Sequence, residues 1–439
     1  MKETFLNNTE SLCPICLKKV KAQIVLKGNR VFLKKRCHLH GKFECLHAWD
    51  DSFFYKEIFR ISKKKKVHFR DTTVDITSKC NMNCPFCFSF VKNEFYEPSI
   101  SDLMRKIRKL KTLDMGGDVI LYGGEPTLRD DLVDIVRNIK NIGLSVNIAT
   151  NGLELDETLL KKLDKLKLDR IQLQFDSMDD QIYEKLRKTK VLKEKLKLLE
   201  DIKKTNIDVT LFVVLLKGVN NNQINKIISF AGKNSEKIKS VIFTAVSPEG
   251  KDRYRFYHLI NDDIMKPIET KFKISKEDFI KCTEFDIIFS NFLYKIGRMK
   301  RRNPAYCEAL CYIYVKGSKL IPLNRLIDLE ELTELFDDII KKDNKNKLKM
   351  VLYMLPKIIK IKFNIILLPI LFQVFISLIH SFLTKKPMQG NFKKTFGIII
   401  APSQNRYNID YHFIKNCNLY ADTKNGKFIS FCEKLIFQN

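Results

Sequence analysis

The sequence predicts an α/β fold: a partial, barrel-like sheet of six βα units, flanked by a small N-terminal metal-binding knuckle and an α+β C-terminal region that carries further cysteines. Three observations predict it. Six β-rich runs alternate with helical-period segments in the middle of the chain, the cysteines gather in three separate groups, and the N-terminal group has metal-ligand spacing. The expected domains are 1–60 for the knuckle, 66–260 for the barrel and 261–439 for the C-terminal region, in which 351–384 reads as an apolar helical segment.

The knuckle opens on CPICLK and closes on KKRCHLHG, giving C-x2-C-x20-C-x2-H with Cys13, Cys16, Cys37 and His40. Two pairs of ligands suit a tetrahedral zinc or a rubredoxin-like mononuclear iron. The intervening IVLKGNRVFLK reads as a β-hairpin, and His38 and Cys45 compete for the fourth position.

The barrel strands are TVDITS from Thr73, DVILYGG from Asp118, LSVNIAT from Leu144, DRIQLQFD from Asp169, DVTLFVVLL from Asp208 and SVIFTAV from Ser240. Between them, ISDLMRKIRKLKTL and RDDLVDIVRNIKNIG carry apolar residues at helical spacing, the first behind Ser99 or Ser101 as N-cap. Strands alternating with helices imply a parallel sheet, whose chemistry gathers at the carboxyl ends of the strands. There lie Cys80 after the first strand, Gly123 to Pro126 after the second, Asn151 after the third and Asp176 at the end of the fourth.

The chain has 439 residues, 45% of them hydrophobic, which excludes a disordered tail, a collagen-like repeat or a disulfide mini-protein. Twelve cysteines and a start, MKETFLNNTESLC, without an apolar run point to a reducing cytoplasm. The net charge of +28 invites nucleic acid or an anionic membrane surface. Abundant Lys, Ile, Asn and Phe point instead to a coding bias as the main source of that charge, and no aromatic-interleaved basic motif favours nucleic acid.

Cys80, Cys84 and Cys87 form C-x3-C-x2-C in SKCNMNCPFCF. Three thiolates on one short loop can hold three irons of a 4Fe-4S cluster and leave the fourth open, whereas structural zinc wants four closed ligands. CNMNCPFC, with Phe86 before the third cysteine, resembles the signature of the radical S-adenosylmethionine (SAM) enzymes, and GGEP at Gly123, Gly124, Glu125 and Pro126 resembles their second motif. The resemblance implies a TIM-like partial (β/α)6 barrel of radical SAM type. It also implies a cluster whose open iron chelates SAM, with Gly123, Gly124 and Glu125 at the SAM ammonium. Reduction by a low-potential electron donor then cleaves SAM, and the deoxyadenosyl radical abstracts hydrogen from an unactivated C–H bond. Thr150, Asn151, Gln174, Asp176 and the strand end near Val246 complete the SAM pocket by position.

In the C-terminal region, Cys282, Cys307 and Cys311 precede Cys417 and Cys432, which flank an apparent hairpin turning at Asn425-Gly426. These five suffice for one auxiliary iron–sulfur cluster, with buried free thiols as the alternative.

CPICLKK, YGGEPTLRDDL, LQFDSMDDQIYEKLR, LLKGVNNNQI and the final CNLYADTKNGKFISFC are similar, in order, to segments of archaeal tetraether lipid synthase-like radical SAM proteins. That resemblance implies carbon–carbon coupling of isoprenoid lipid chains. Similar proteins are linked to methylation of a reduced hydroxymethylpterin, so a lipid and a small-molecule substrate both stand open. Residues 363–383 contain no Asp, Glu, Lys or Arg, and Lys357, Lys360, Lys362, Lys385 and Lys386 flank them. They read as an interfacial or tunnel-lining helix, with ordinary core and a membrane span as the alternatives; an interfacial helix would put the enzyme at the cytosolic membrane face.

Overall fold

The computed structural model describes residues 2–63, 71–87, 95–112, 117–246, 261–295, 308–342, 353, 356–358, 360–369, 372–373 and 394–437, apart from 403, 416, 418 and 423–426. Strands β1 (Glu3–Leu12), β2 (Lys19–Lys27), β3 (Arg30–Cys37) and β4 (Gly41–Asp51) form an antiparallel sheet in chain order. The expected hairpin is β2–β3, with Gly28 in the left-handed region at its turn. Helix α1 (Ser52–Ser62) follows, its first amides capped by the Asp51 carboxylate.

All six expected barrel strands are present: β5 (Asp71–Thr77), β6 (Val119–Gly123), β7 (Val146–Thr150), β8 (Arg170–Gln174), β9 (Asp208–Leu215) and β10 (Ile238–Ala245). Each lies parallel to the next. Between them run α2 (Ile100–Thr112), α3 (Leu132–Asn141), α4 (Glu157–Lys165), α5 (Asp180–Arg187), α6 (Leu192–Lys203) and α7 (Ile224–Lys233). Ser99 accepts from the Asp102 amide at the start of α2. The pleat sets the core. Val74, Leu121, Ile148, Leu173, Leu211 and Val241 are buried with helix stripes such as Leu132, Ile135, Val136 and Ile139 of α3.

The C-terminal third adds to this sheet. After α8 (Asn261–Phe272) and α9 (Lys276–Lys295) come β11 (Ala309–Lys316), β12 (Lys319–Pro322), α10 (Leu329–Lys341) and β13 (Thr395–Ala401), then α11 (Tyr411–Ile414), β14 (Leu419–Asp422), β15 (Phe428–Ser430) and α12 (Phe431–Phe437). β13 lies parallel beyond β10, and β14 lies parallel beyond β5. The run β14-β5-β6-β7-β8-β9-β10-β13 is therefore parallel throughout, with antiparallel β15 at one edge and β11–β12 at the other. The hairpin expected between Cys417 and Cys432 is β14–β15; its Asn425-Gly426 turn lies outside the described residues.

The N-terminal sheet holds the segment that leads into β14. His47 Nε2 lies 3.2 Å from Asp410 Oδ2, and both side chains are fully buried. Ser11 donates to the Ile409 carbonyl (2.6 Å), and the Lys35 ammonium and Cys45 thiol both donate to the Tyr407 carbonyl (2.7 and 2.8 Å). Burial works against the Asp410 charge, but hydrogen bonds from His47 and Thr9 outweigh it and hold the carboxyl below its usual range.

Of the apolar segment 363–383, the described residues begin as a 3-10 turn, Ile365–Leu367, capped by Asn364. Leu367 packs with Tyr314 and Leu326, while Ile365 is exposed. Residues 374–383 of that segment, Lys385 and Lys386 lie outside the described residues. Among the described residues no helix is long and apolar enough to cross a membrane.

Removing one partner of a fully buried hydrogen-bonded pair leaves the other unsatisfied, and Asp410 accepts from both His47 and Thr9. Asp410→Ala should therefore destabilise the protein by about 3 kcal/mol, read as a fall in the urea midpoint, whereas the exposed pair partner Glu157→Ala should change it little.

Candidate active site and N-terminal metal centre

The cysteine loop leaves β5 at Thr77 and is bonded to the GGEP turn through the backbone. The Gly124 amide donates to the Thr77 carbonyl and the Glu125 amide to the Lys79 carbonyl, both at 2.7 Å. This approach requires the glycines. A Cβ on Gly124 would lie 2.0 Å from the Lys79 oxygen, and one on Gly123, whose φ is +142°, would lie 2.2 Å from the Thr77 oxygen. Arg129, paired with Asp131, donates to the Ile76 carbonyl (2.6 Å) and secures the strand end beneath the loop.

Glu125 is 1% exposed, and its carboxylate is a hub. Oε1 accepts from the Thr127 amide (3.1 Å) and from the hydroxyls of Thr127 and Thr150 (both 2.6 Å); Oε2 accepts from the Asn151 amide (2.7 Å). Asn151 Nδ2 in turn donates to Asn81 Oδ1 in the cysteine loop (2.7 Å), and Gly152, φ +85°, turns the chain after it. Thus the exits of β5, β6 and β7 are tied together.

The exit of β8 is tied to the same loop by charge. Asp176 is fully buried; Oδ1 accepts from the Val214 amide (2.9 Å), and Oδ2 accepts from Arg187 Nε (2.7 Å) and from Gln174. Arg187 lies 4.5 Å over the Phe86 ring, with the Cys84 sulfur in hydrogen-bonding reach. Burial opposes its charge, but Asp176 and Cys84 keep it protonated. Phe86 packs against Ile182, Leu186, Leu216 and Val246, so the aromatic residue between two cysteines anchors the loop to α5.

Cys80, Cys84 and Cys87 are all partly exposed, and the Cys87 amide donates to the Cys84 carbonyl (3.1 Å). Burial pushes the Cys80 thiol up to about 11. A thiolate there calls for a bound cation, and three thiols on one anchored loop beside a guanidinium fit a cluster with one open iron.

The sequence expects the polar groups of Thr150, Asn151, Gln174 and Asp176 to meet SAM. The structure places all four at the rim but engages all four side chains within the fold: Thr150 with Glu125, Asn151 with Asn81, Gln174 with Asp176 and Lys195, and Asp176 with Arg187. It likewise gives Gly123 and Gly124 a contact with the cysteine loop. Sequence reasoning missed Arg187 and Lys195. Lys195 occupies the apolar stripe of α6 with Leu198, Leu199 and Ile202, the one signal that could have marked it.

At the N-terminus, Cys13, Cys16, Cys37 and His40 bring their ligand atoms within 4.8 Å of one another. His40 Nδ1 lies 3.6 Å from both Cys13 and Cys37 sulfurs, and the Cys16 and Cys37 sulfurs are 3.9 Å apart, as tetrahedral zinc requires. Burial works against the Cys13 and Cys37 thiolates, but backbone amides of the two knuckles outweigh it and lower both thiols. Of the competing ligands, His38 is exposed and Cys45 is turned to Tyr407.

The C-terminal cysteines fall in two places. Cys282 on α9 and Cys311 on β11 are buried together in the main core, and burial, then Cys282, raises the Cys311 thiol well above its usual value. Cys417 is buried beside β14, and Cys432 packs with Tyr411, Ile414 and Ile436 in a separate cluster. Cys307 lies outside the described residues.

Residues 74–231 match the radical SAM superfamily, and residues 5–48 match the N-terminal zinc ribbon domain of HMPTM proteins. The chain is 30% identical over 461 residues to the 7,8-dihydro-6-hydroxymethylpterin dimethyltransferase of Methanocaldococcus jannaschii, covering 95% of this chain and 87% of that protein. It is 29% identical over 200 residues to a probable GTP 3′,8-cyclase of Pyrococcus abyssi, covering 46% of this chain and 64% of the cyclase. Among solved structures, SuiB of Streptococcus suis bound to its precursor peptide SuiA superposes with a TM-score of 0.41 and 17% identity, over 50% of this chain and 49% of that one. The chain belongs to the radical SAM superfamily and, within it, to the family that includes the M. jannaschii dimethyltransferase. It is a radical SAM enzyme, with SAM and a 4Fe-4S cluster as cofactors and a metal-binding ribbon at its N-terminus.

A methyl group on Gly124 would have to displace backbone of the cysteine loop. Gly124→Ala, reconstituted anaerobically, should lose most of its cluster iron while the ribbon keeps its metal, as counted by elemental analysis per chain.

Proposed function

We propose that the enzyme is a radical SAM methyltransferase acting on a reduced hydroxymethylpterin. One observation carries the reading: the likeness to the M. jannaschii dimethyltransferase runs through ribbon, barrel and C-terminal region, over 95% of this chain, whereas the likeness to the cyclase covers 46%. The coupling of isoprenoid chains, which the apolar segment and ordered motifs suggest, has less support, since a relative matched over 95% of this chain carries a pterin activity in its name.

Cys80, Cys84 and Cys87 would hold the cluster. Bound there and reduced, it supplies the electron that cleaves SAM. The remaining work falls to the chain. Glu125 fixes the β6 and β7 exits that border the SAM pocket, and Asp176 aims the Arg187 guanidinium at the loop, where a cation suits the SAM carboxylate. Phe86 and its apolar neighbours exclude water from one side of the loop. Tyr122, opposite Asp75 on β5 and in edge contact with Phe431, offers an aromatic surface of the kind a flat pterin ring stacks on.

Anaerobic incubation with SAM, a strong reductant and 7,8-dihydro-6-hydroxymethylpterin deuterated at its carbons tests the reading. Deuterium should appear in 5′-deoxyadenosine, and with methyl-labelled SAM in excess, a second SAM serving as methyl donor and the reductant supplying the electrons, the pterin should exchange one or two deuteriums for labelled methyl groups. Deoxyadenosine free of deuterium beside an unchanged pterin would contradict it.

A further inference from the structure

Lys195 is a buried ammonium that no expected step of the reaction uses. It projects from the apolar stripe of α6, is 1% exposed, and spends its three donors on neutral carbonyls: the Asn151 backbone oxygen (2.6 Å), the Gln174 backbone oxygen (2.8 Å) and Gln174 Oε1 (3.0 Å). A buried charge without a carboxylate in contact is costly, and burial pushes its pKa down to about 7. A leucine in its place would continue the stripe of Leu198, Leu199 and Ile202 at lower cost.

What the ammonium joins gives the reason. Asn151 directly follows β7 and reaches the cysteine loop through Asn81; Gln174 ends β8 and reaches the same loop through Asp176, Arg187 and Phe86. No backbone ladder pairs these two strand exits, because the β7–β8 register runs only from Asn147–Arg170 to Thr150–Leu173. Lys195 bridges them just past the point where the sheet stops.

We propose that Lys195 is a positioning residue for SAM: it sets the spacing between the β7 and β8 exits, and so the distance between the Asn151 and Arg187 arms that grip the cysteine loop. The proposal rests on the reading of this rim as the SAM pocket. It assigns Lys195 no contact with SAM and no part in proton transfer.

The test uses the full chain, reconstituted anaerobically, with reductive cleavage of SAM to 5′-deoxyadenosine as the assay. Lys195→Met keeps the length of the side chain and cannot donate; Lys197→Met, on the exposed face of the same helix, is the control. Lys195→Met should bind wild-type amounts of iron and raise the KM for SAM about tenfold with a much smaller change in kcat, the effect of losing charged hydrogen bonds that orient a binding site. Lys197→Met should match the wild type. An unchanged KM in Lys195→Met overturns the proposal. So does a variant without a cooperative thermal transition, since Lys195 would then serve the fold as a whole. Failure of the wild type to cleave SAM would instead remove the pocket reading beneath it.

Discussion

The carboxylate of Glu125 is the contact on which the rim depends. A buried carboxylate is tolerated only when donors surround it, and this one draws four from two successive βα turns. Its own amide and that of Gly124 are meanwhile committed to the carbonyls of the cysteine loop. One residue therefore fixes three strand exits. The glycines before it matter because they let two backbones meet without side chains between them.

A second set of constraints reaches the rim from the far ends of the chain. The N-terminal sheet grips residues 407–410 through Lys35, Cys45, Ser11 and His47, and that segment leads to β14, which pairs with β5 directly before the cysteine loop. Lys434 continues the contact by pairing with Asp75, and Phe431 meets Tyr122. The ribbon metal centre and the cysteine loop thus share one continuous body of packed structure, though the strands that precede Cys13 and Cys80 belong to different sheets.

Much of this was legible in the sequence. The six barrel strands announced themselves by β-branched runs between helical stripes, and the ribbon by its C-x2-C and C-x2-H spacing. The cysteine triad and GGEP located the rim because strand exits are where a parallel sheet places chemistry. Strands β13 and β14 were not legible as barrel strands: TFGIIIA and LYAD carry no sign of which edge they join, and only tertiary pairing decides that. Arg187 and Lys195 sit among lysine-rich helical turns whose charge gives no sign of burial, and their partners lie 11 and 21 or more residues away. His47 and Asp410 stand 363 residues apart, beyond any local pattern.

The central claim is that the Glu125 carboxylate, by holding the β6 and β7 exits, sets the geometry in which the cluster meets SAM. The electron paramagnetic resonance spectrum of the reduced Glu125→Gln variant, recorded with and without SAM, tests it most directly. An amide of the same size turns one acceptor oxygen into a donor facing donors. The variant should show a reduced-cluster signal that SAM no longer alters, while the wild-type signal shifts on adding SAM. A wild-type SAM-induced shift in Glu125→Gln would contradict the account.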